Sequence, residues 1–206
     1  MLTVGLCGGS GSGKTLAQEA FLSAGIPCLD TDALYHAMLS SDSSLSRSLL
    51  RHFGAEVGDG TGGINRRTLA SLVFEAGEAG KCRLDELNRI THGEILGECR
   101  LWLDRQRAAG AFAAVINAPL LFESGFHKEC DVTVAILAPR DKRIARILSR
   151  DGITLEEAAR RIDAQLDDVF LIKNTDFQIR NDGTAEALFE KVARLSDTIK
   201  KLAEEK

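Results

Sequence analysis

The sequence Gly8-Gly9-Ser10-Gly11-Ser12-Gly13-Lys14-Thr15 lies between an apolar run, Leu2 to Cys7, and an amphipathic run, Thr15 to Leu22. The pattern Gly-x-x-x-x-Gly-Lys-Thr between a strand and a helix is typical of a phosphate-binding loop. Glycines let backbone N–H groups close around phosphate oxygens, and the start of the following helix favours negative charge. The stretch therefore predicts a site for ATP or GTP at the end of the first strand.

The loop pattern also assigns chemical roles to its residues. Lys14 is expected to reach the outer phosphates of the nucleotide, and the Thr15 hydroxyl is expected to ligate Mg²⁺. We expect the Mg²⁺ to be bound together with the nucleoside triphosphate. The residues predicted to bind the nucleotide here are Gly8, Gly9, Gly11, Ser12, Gly13, Lys14, Thr15 and Leu16.

Length and charge limit the class of protein. The chain has 206 residues, enough for one domain or for a core domain with a sizeable insertion. We predict a single domain over residues 1–206. A net charge of −4 gives no general reason to bind nucleic acid. Apolar runs are all too short for a membrane span, so we also expect no membrane association.

The cysteines indicate neither a disulfide framework nor a zinc site. Their number is odd, their spacing is wide, and no two of them form a Cys-x-x-Cys pair. The N-terminus has no basic segment followed by a long apolar stretch, as a secretory signal would require. We therefore expect a soluble, cytoplasmic protein. The cysteines are Cys7, Cys28, Cys82, Cys99 and Cys130.

Short apolar runs alternate with helical patterns along the chain. This alternation predicts an α/β fold with a parallel five-stranded sheet flanked by helices, with ligands at the carboxyl ends of the strands. The predicted strands are Leu2–Cys7, Ile26–Leu29, Ala113–Ile116, Val132–Leu137 and Phe177–Ile179.

About eighty residues separate the second and third predicted strands, at about 31–112, which is far longer than an ordinary crossover. The segment predicts a helical insertion that forms a substrate-binding part of the domain. Its helical patterns cover Leu45–Phe53, Thr68–Ala76 and Leu84–Arg107.

Two carboxylates follow the second predicted strand, at Asp30 and Asp32. Strand alternation would direct both the same way unless a helix has already begun. Transfer of a phosphoryl group requires an oriented acceptor hydroxyl and neutralised phosphate charge. We assign Asp32 as the base and Asp30 as the metal-side partner. The alternative is that Asp30 or Asp32 only caps a helix running through His36.

A basic segment at about 140–166 predicts an arginine-rich lid. Three arginines at spacings of three and four fall on one side of a helix whose other side carries Ile144, Ile147 and Leu148. Thr154 and Glu157 have the spacing of a capping box, so a second helix is expected to start there. The alternative is an ordinary solvated helix face. The arginines are Arg143, Arg146 and Arg150, followed by Arg160 and Arg161.

Two further candidates are open to a structural or a functional interpretation. The segment Asn117–Glu123 follows the third predicted strand, where it suits substrate contact, although a Pro-Leu-Leu-Phe turn also serves for packing. His92 in the insertion suits either a surface or helix-packing role or a substrate contact.

Taken together, these pieces resemble the dephospho-coenzyme A kinase family over nearly the whole chain. The motifs that carry the resemblance occur in the family's order: Gly8–Thr15, Asp30 with Asp32, Phe53-Gly54, Asn65–Leu69, Leu87-Asn88, Thr91-His92, Pro119–Glu123, Arg161 with Gln165, Asp176-Phe177 and Asn181–Gly183.

The resemblance implies a phosphate-loop kinase core, a helical domain for the coenzyme A substrate and a lid. It implies transfer of phosphate from ATP to the 3′-hydroxyl of dephospho-coenzyme A, the last step of coenzyme A biosynthesis. Asp32 would activate that hydroxyl, Lys14 and Arg146 would stabilise the transferred phosphate, and Arg150 and Asn181 would contact ATP. The acceptor-binding residues would be Asp32, His36, Arg66, His92, Pro119, Leu120, Leu121 and Arg161.

Two positions depart from the family pattern. Thr31 stands where the family usually has Ala, which we expect to be harmless. Gly93 follows His92 where the family usually has Pro. Loss of this proline is expected to loosen a helix start beside His92.

Two rival functions are compatible with parts of this sequence. One is another small-molecule kinase with the same core, such as a shikimate-type or nucleotide kinase. The other is a GTP-dependent switch, for which the usual Asn-Lys-x-Asp is replaced here by the wrong order, Lys173–Asp176. The long insertion and the Pro119–Glu123 turn favour the dephospho-coenzyme A kinase interpretation over the first rival.

Overall fold

A computed structural model describes residues 1–206. It contains a five-stranded parallel sheet, as predicted, with strand order β2-β3-β1-β4-β5. The strands are β1 (Leu2–Cys7), β2 (Cys28–Asp30), β3 (Ala113–Asn117), β4 (Val132–Leu137) and β5 (Phe177–Arg180). The helices are α1 (Lys14–Ser23), α2 (Thr31–Leu39), α3 (Ser44–Phe53), α4 (Arg66–Val73), α5 (Glu78–Ala108), α6 (Arg140–Asp151), α7 (Leu155–Asp163), α8 (Asp168–Asn174) and α9 (Ala185–Glu204). None of the helices has the length and hydropathy needed to cross a membrane.

The chain divides into two compact units, one of residues 1–29 and 103–206 and the other of residues 30–102. The first unit holds the sheet, where β1 is completely buried between β3 and β4. Alternate β1 residues, Leu2, Val4 and Leu6, pack with α1 and α9 in one hydrophobic core. This arrangement places the end of β1, where the loop begins, at the middle of the sheet's carboxyl edge.

The second unit is helical and has a core of its own. Leu45 and Leu49 on α3 are completely buried, together with Val57 in a 3₁₀ turn and Leu69 on α4. Because Asn65 accepts hydrogen bonds from the N–H groups of Arg67 and Thr68, α4 starts earlier than the apolar pattern alone predicted. The unit covers most of the predicted insertion, and its substrate-binding role stays a prediction.

The second strand begins later than predicted, at Cys28 rather than Ile26. Pro27 has no N–H group to donate to a ladder, although its carbonyl oxygen accepts a 2.8 Å bond from the N–H of Val115. Ile26 is nevertheless completely buried in the core of the first unit. The apolar run therefore correctly predicted burial, while β2 starts only at the residue after the proline.

Helices α6 and α7 form the segment predicted as a lid. The capping box at Thr154 is confirmed, because its Oγ1 accepts from the N–H of Glu157 and the Glu157 carboxylate accepts from the N–H of Thr154. Ile147 of α6 packs with Ala158 and Ile162 of α7 in a small separate core. The two helices thus form one packed pair.

Candidate active site

The phosphate loop runs from the end of β1 into α1, with helix formation starting at Lys14. Gly8, Gly11 and Gly13 have positive φ angles, with 101° at Gly13, a conformation that side chains rarely adopt. Lys14 Nζ donates a 2.6 Å hydrogen bond to the carbonyl oxygen of Gly8, which curls the side chain over the loop. Thr15 is exposed in the first turn of α1, so its hydroxyl can reach a ligand there.

Two side chains donate hydrogen bonds to carbonyl oxygens in the second half of the loop. Asn181, just after β5 and 4% exposed, donates from Nδ2 to the carbonyl oxygen of Ser12 at 2.7 Å. Arg146 Nη1 donates to the carbonyl oxygens of Gly11 and Ser12 at 3.0 and 3.3 Å, and Nη2 donates to that of Asn181. A Cβ atom on Gly13 would lie 2.1 Å from Asn181 Nδ2, so this contact requires glycine. Direct contacts of Arg146 and Asn181 with ATP stay predictions.

The first half of the loop contacts α6 and the linker after α7. Arg143 Nε donates to the carbonyl oxygen of Ser10 at 3.0 Å, and the N–H of Ser10 donates to Gln165 Oε1 at 2.7 Å. Arg143 is only 5% exposed, and burial lowers the pKa of its guanidinium, although the carboxylate of Asp168 opposes that shift. The open interpretation of the arginine row as a solvated face is therefore wrong for Arg143.

The predicted division of α6 into a basic side and an apolar side needs a correction. Arg143 and Ile147, four residues apart, both lie on the buried face of the helix. Arg150 is exposed and pairs with the neighbouring carboxylate of Asp151, whose other partner is Arg161 at the end of α7. The arginines thus occupy three different environments along the segment.

A cavity of about 60 Å³ joins the loop to the segment after β3. Gly8 and Gly9 line one part of it, Pro119 and Leu120 another, and Gln165 a third. Glu123 also lines the cavity, where it and Lys14 lie near enough to Cys7 to act on its thiol in opposite directions. Burial is the larger effect and raises the pKa of Cys7 to about 12. The structure therefore brings the predicted turn and the loop together.

Leu121 lies apart from this cavity. It is completely buried, and a Cβ atom on Gly5 of β1 would lie 2.9 Å from its Cδ2 atom. Packing against β1 thus accounts for Leu121, as the structural interpretation of the turn expected. A contact of Leu121 with the acceptor stays a prediction.

The carboxylates after β2 lie at the start of α2. Because this helix begins at Thr31, strand alternation no longer determines where the two side chains point. Asp30 Oδ1 accepts from the N–H groups of Asp32 and Ala33 at 2.9 and 3.1 Å, so Asp30 caps the helix. Asp32 is exposed in the first turn, and His36 is exposed one turn later. Asp30 therefore does cap α2, while the metal role of Asp30 and the catalytic role of Asp32 stay predictions.

The other acceptor candidates of the second unit lie on α4 and α5. Arg66 is exposed at the start of α4 and lies near Tyr35 of α2, where burial raises the pKa of the tyrosine and the guanidinium partly lowers it. His92 is half-buried within α5. The expected loosening of a helix start at Gly93 is wrong, because α5 continues from Glu78 to Ala108 without a break. Glycine keeps the N–H donor that proline lacks, so the helix passes through.

Arg143 and Gln165 are the residues near the loop that the sequence reasoning did not assign to the site. The resemblance named Gln165 only as part of a motif, and the arginine row gave Arg143 no separate role. One signal was present, since Arg143 precedes the apolar residue Ile147 by four positions and therefore shares its face. A hydrogen bond to a loop carbonyl had no signal in the sequence.

The donor groups near the loop fit a magnesium ion that is bound mainly by phosphate. No group of three or more His, Cys, Asp or Glu side chains is arranged to hold a metal ion by itself. Mg²⁺ in nucleotide sites keeps waters and phosphate oxygens and takes only one or two protein oxygens. The exposed Thr15 hydroxyl supplies a hard oxygen ligand of the required type.

The parallel sheet, with a phosphate loop after its central strand and an arginine-bearing helix pair, defines the class of phosphate-loop kinases. A family model described as dephospho-CoA kinase matches residues 2–187. The chain belongs to the dephospho-CoA kinase family, whose members are transferases that use ATP.

Individual relatives agree with this membership. The dephospho-CoA kinase of Lactobacillus johnsonii is 33% identical over 196 residues, covering 95% of this chain and 97% of that protein. A Thermus thermophilus protein of known crystal structure matches with a TM-score of 0.76 at 29% identity, covering 96% of this chain and 97% of that one. The fold is also similar to that of dephospho-CoA kinase from Campylobacter jejuni, with a TM-score of 0.71, 23% identity and 97% coverage of both chains. Family membership favours neither the shikimate-type kinase nor the GTP switch.

Proposed function

We propose that this chain transfers the γ-phosphoryl group of ATP to the 3′-hydroxyl of dephospho-CoA, giving CoA and ADP. The observation that carries the proposal is the family match over residues 2–187, which includes both the phosphate loop and the carboxylates after β2. The reaction is the last step of CoA biosynthesis. The five free thiols suit the reducing cytoplasm, which we propose as its compartment.

The loop supplies the groups that bind the phosphoryl donor. Its backbone N–H groups and the start of α1 favour the negative charge of the triphosphate, and Lys14 neutralises the outer phosphates. Phosphoryl transfer needs little covalent chemistry from the protein, so positioning and charge neutralisation provide most of the catalysis. We assign charge neutralisation in the transition state to Lys14 and Arg146.

Two residues are assigned to the Mg²⁺ that accompanies ATP. When bound with ATP, Mg²⁺ would supply charge neutralisation on the phosphoryl donor. Thr15 would hold the ion through its hydroxyl, and Asp30 would be the second residue on the metal side. The carboxylate of Asp30 also caps α2, so the same side chain serves the helix and the site.

Asp32 orients the acceptor hydroxyl and accepts its proton. A carboxylate suits this task because the proton is transferred only as the bond to phosphorus forms. Its exposure in the first turn of α2 leaves the side chain accessible to a substrate. The remaining acceptor contacts are assigned to His36, Arg66 and His92 and to the Pro119–Leu121 segment.

The lid excludes water so that hydrolysis of ATP does not compete with transfer. Arg150 and Arg161 are the lid arginines assigned to ATP and to the acceptor. Both are tied to Asp151, and both are exposed at the ends of α6 and α7. Guanidinium groups in this position can exchange a carboxylate partner for a phosphate.

The test is an acceptor comparison with purified protein and MgATP. We expect ADP formation with dephospho-CoA and a phosphorylated product identified by mass spectrometry. We expect none above background with shikimate or nucleoside monophosphates. The Lys14→Ala variant, purified in the same way, controls for contaminating kinases. Absence of dephospho-CoA turnover by folded wild-type protein would overturn the proposal.

A further inference from the structure

Ser10, near the middle of the phosphate loop, has both of its backbone groups held by side chains from other parts of the first unit. Its N–H donates to Gln165 Oε1 at 2.7 Å, and its carbonyl oxygen accepts from Arg143 Nε at 3.0 Å. The two side chains are also joined, since Arg143 Nη2 donates to the same Gln165 Oε1 at 3.2 Å. The three residues therefore form a closed hydrogen-bonded ring.

Arg143 is costly to place where it lies. Arg143 is 5% exposed, and its only carboxylate partner is Asp168, with Nη1 and Oδ1 3.4 Å apart. Burying a charge without strong compensation is unfavourable. The compensation here comes mostly from neutral acceptors, the Ser10 carbonyl and the Gln165 amide.

The contact between loop and arginine is also close in space. A Cβ atom on Gly9 would lie 2.0 Å from Arg143 Nη2, and one on Gly11 would lie 2.6 Å from the Arg143 carbonyl oxygen. The backbone on both sides of Ser10 therefore packs directly against Arg143. Gln165 lies in the short linker between α7 and α8, so the ring also connects the loop to the end of the lid.

We propose that Arg143 and Gln165 are positioning residues that act as a pair to fix the backbone of Gly9–Gly11 in the conformation that binds the nucleotide phosphates. Neither residue is assigned a contact with the substrate. Their effect is preorganisation, because a loop held in place before binding loses less conformational entropy when the nucleotide binds. The inference rests on the proposed use of ATP as phosphoryl donor.

The test is a double-mutant cycle on nucleotide affinity. Arg143→Met and Gln165→Met remove the hydrogen bonds while keeping apolar bulk. Each variant should weaken MgATP binding about tenfold, the change expected when a charge-assisted hydrogen bond is lost. The KM for dephospho-CoA should stay within about twofold, since the acceptor site is untouched. The double variant should be no worse than about tenfold, because one ring is broken in all three proteins.

Arg140→Met is the matched control. Arg140 lies one turn before Arg143 on α6 and pairs with Asp163 of α7 at the surface, so its loss breaks a lid ion pair without touching the loop. We expect unchanged MgATP affinity for this variant. If Arg143→Met fails to fold, the half-buried Gln165→Met still tests the proposal.

The possible outcomes separate two failures. Unchanged MgATP affinity in folded Gln165→Met would overturn the positioning role, as would losses in the two single variants that multiply in the double variant. Equal weakening by Arg140→Met would also overturn it, since the effect would then belong to the lid in general. Wild-type protein that binds no MgATP would instead remove the proposed function itself.

Discussion

At the scale of single residues, the ammonium group of Lys14 is placed close to where the phosphates are expected to bind. Its ammonium group donates to the carbonyl oxygen of Gly8, so it already lies over the loop that is to receive the phosphates. A cation held there needs only a small reorientation to bind a phosphate oxygen. Charge that is in place before the reaction lowers the barrier more than charge that must be recruited.

Replacing Lys14 by alanine tests this position. We expect Lys14→Ala to lower kcat about 100- to 1000-fold, the usual effect of removing one donor to developing charge. Steady-state kinetics with MgATP and dephospho-CoA measures the change. Lys200→Ala, on the exposed face of α9, is the control and should keep full activity. A threefold change in kcat corresponds to only about 0.6 kcal/mol in activation free energy. A kcat within threefold of wild type would therefore remove Lys14 from the catalytic assignment.

The two carboxylates after β2 can be separated by asparagine substitutions. Asparagine caps a helix as well as aspartate does, so Asp30→Asn should keep α2 intact while removing one negative charge. Asp32→Asn should lower kcat about 100-fold or more, as expected for loss of a general base. Asp30→Asn should mainly raise the Mg²⁺ concentration required for activity.

Kinetics of both variants at several Mg²⁺ concentrations, with circular dichroism as the folding control, distinguishes these roles. A larger loss of kcat in Asp30→Asn than in Asp32→Asn would reverse the assignment.

The thiols should differ in reactivity according to burial. Desolvation raises the pKa values of Cys7 and Cys28 to about 12, whereas Cys82 is exposed on α5. Because the thiolate is the reactive form, iodoacetamide in mildly alkaline buffer should alkylate Cys82 first. Cys7 and Cys28 should react only after denaturation. Peptide mass spectrometry of native and unfolded samples measures this, and equally fast labelling of Cys7 and Cys82 would contradict it.

At the scale of secondary structure, Asp151 joins the ends of α6 and α7. Hydrogen bonds from Arg150 and then from Arg161 outweigh partial burial and lower the pKa of Asp151 from 3.8 to about 2. A depressed carboxyl pKa stabilises the folded state above the unfolded pKa, and this contribution is lost as the pH falls through the folded pKa. The link should therefore be complete above about pH 4 and disappear towards pH 2.

The variant Asp151→Asn checks this sign. Near neutral pH it should have a lower free energy of unfolding than wild type, and the difference should shrink as the pH falls below about 4. Denaturant titrations across this range measure both proteins. Asp197→Asn, exposed on α9, is the control. A difference that grows on acidification would contradict the assigned pKa.

Elements also show what the sequence could and could not predict. Continuous apolar runs identified the strands because buried parallel strands need them, and Thr154 with Glu157 predicted a helix start correctly. The start of α2 at Thr31 was harder to predict. Asp30 and Asp32 could equally have continued the strand, and the hydrogen bonds by which Asp30 caps the helix decide against it. The ring around Ser10 could not be predicted, because side chains over 130 positions away supply its partners.

At the scale of the whole molecule, the two units have separate hydrophobic cores. Leu49 lies completely buried in the core of residues 30–102, and Val4 lies completely buried in the core of the first unit. The free energy of local unfolding of a segment depends on the buried contacts that the segment makes. A cavity in one core should therefore destabilise the unit that contains it first.

Two matched substitutions test this independence. Leu49→Ala should cost about 2–5 kcal/mol in its core and speed hydrogen exchange within residues 30–102. Val4→Ala should speed exchange mainly in residues 1–29 and 103–206. Exchange mass spectrometry reports both patterns. A uniform increase across the chain in both variants would show instead that the two cores unfold as one.

The packing of Gly9 on Arg143 has a consequence for sequence divergence. Gly9 has no positive φ angle, so its backbone would accept alanine, but the nearest obstacle to an alanine Cβ atom is the Arg143 guanidinium, whose Nη2 would lie 2.0 Å away. Lineages that carry a shorter side chain at position 143 would have room for alanine at position 9, whereas lineages that retain arginine would not. Drift at these two sites should therefore be correlated, although more than 130 residues separate them along the chain.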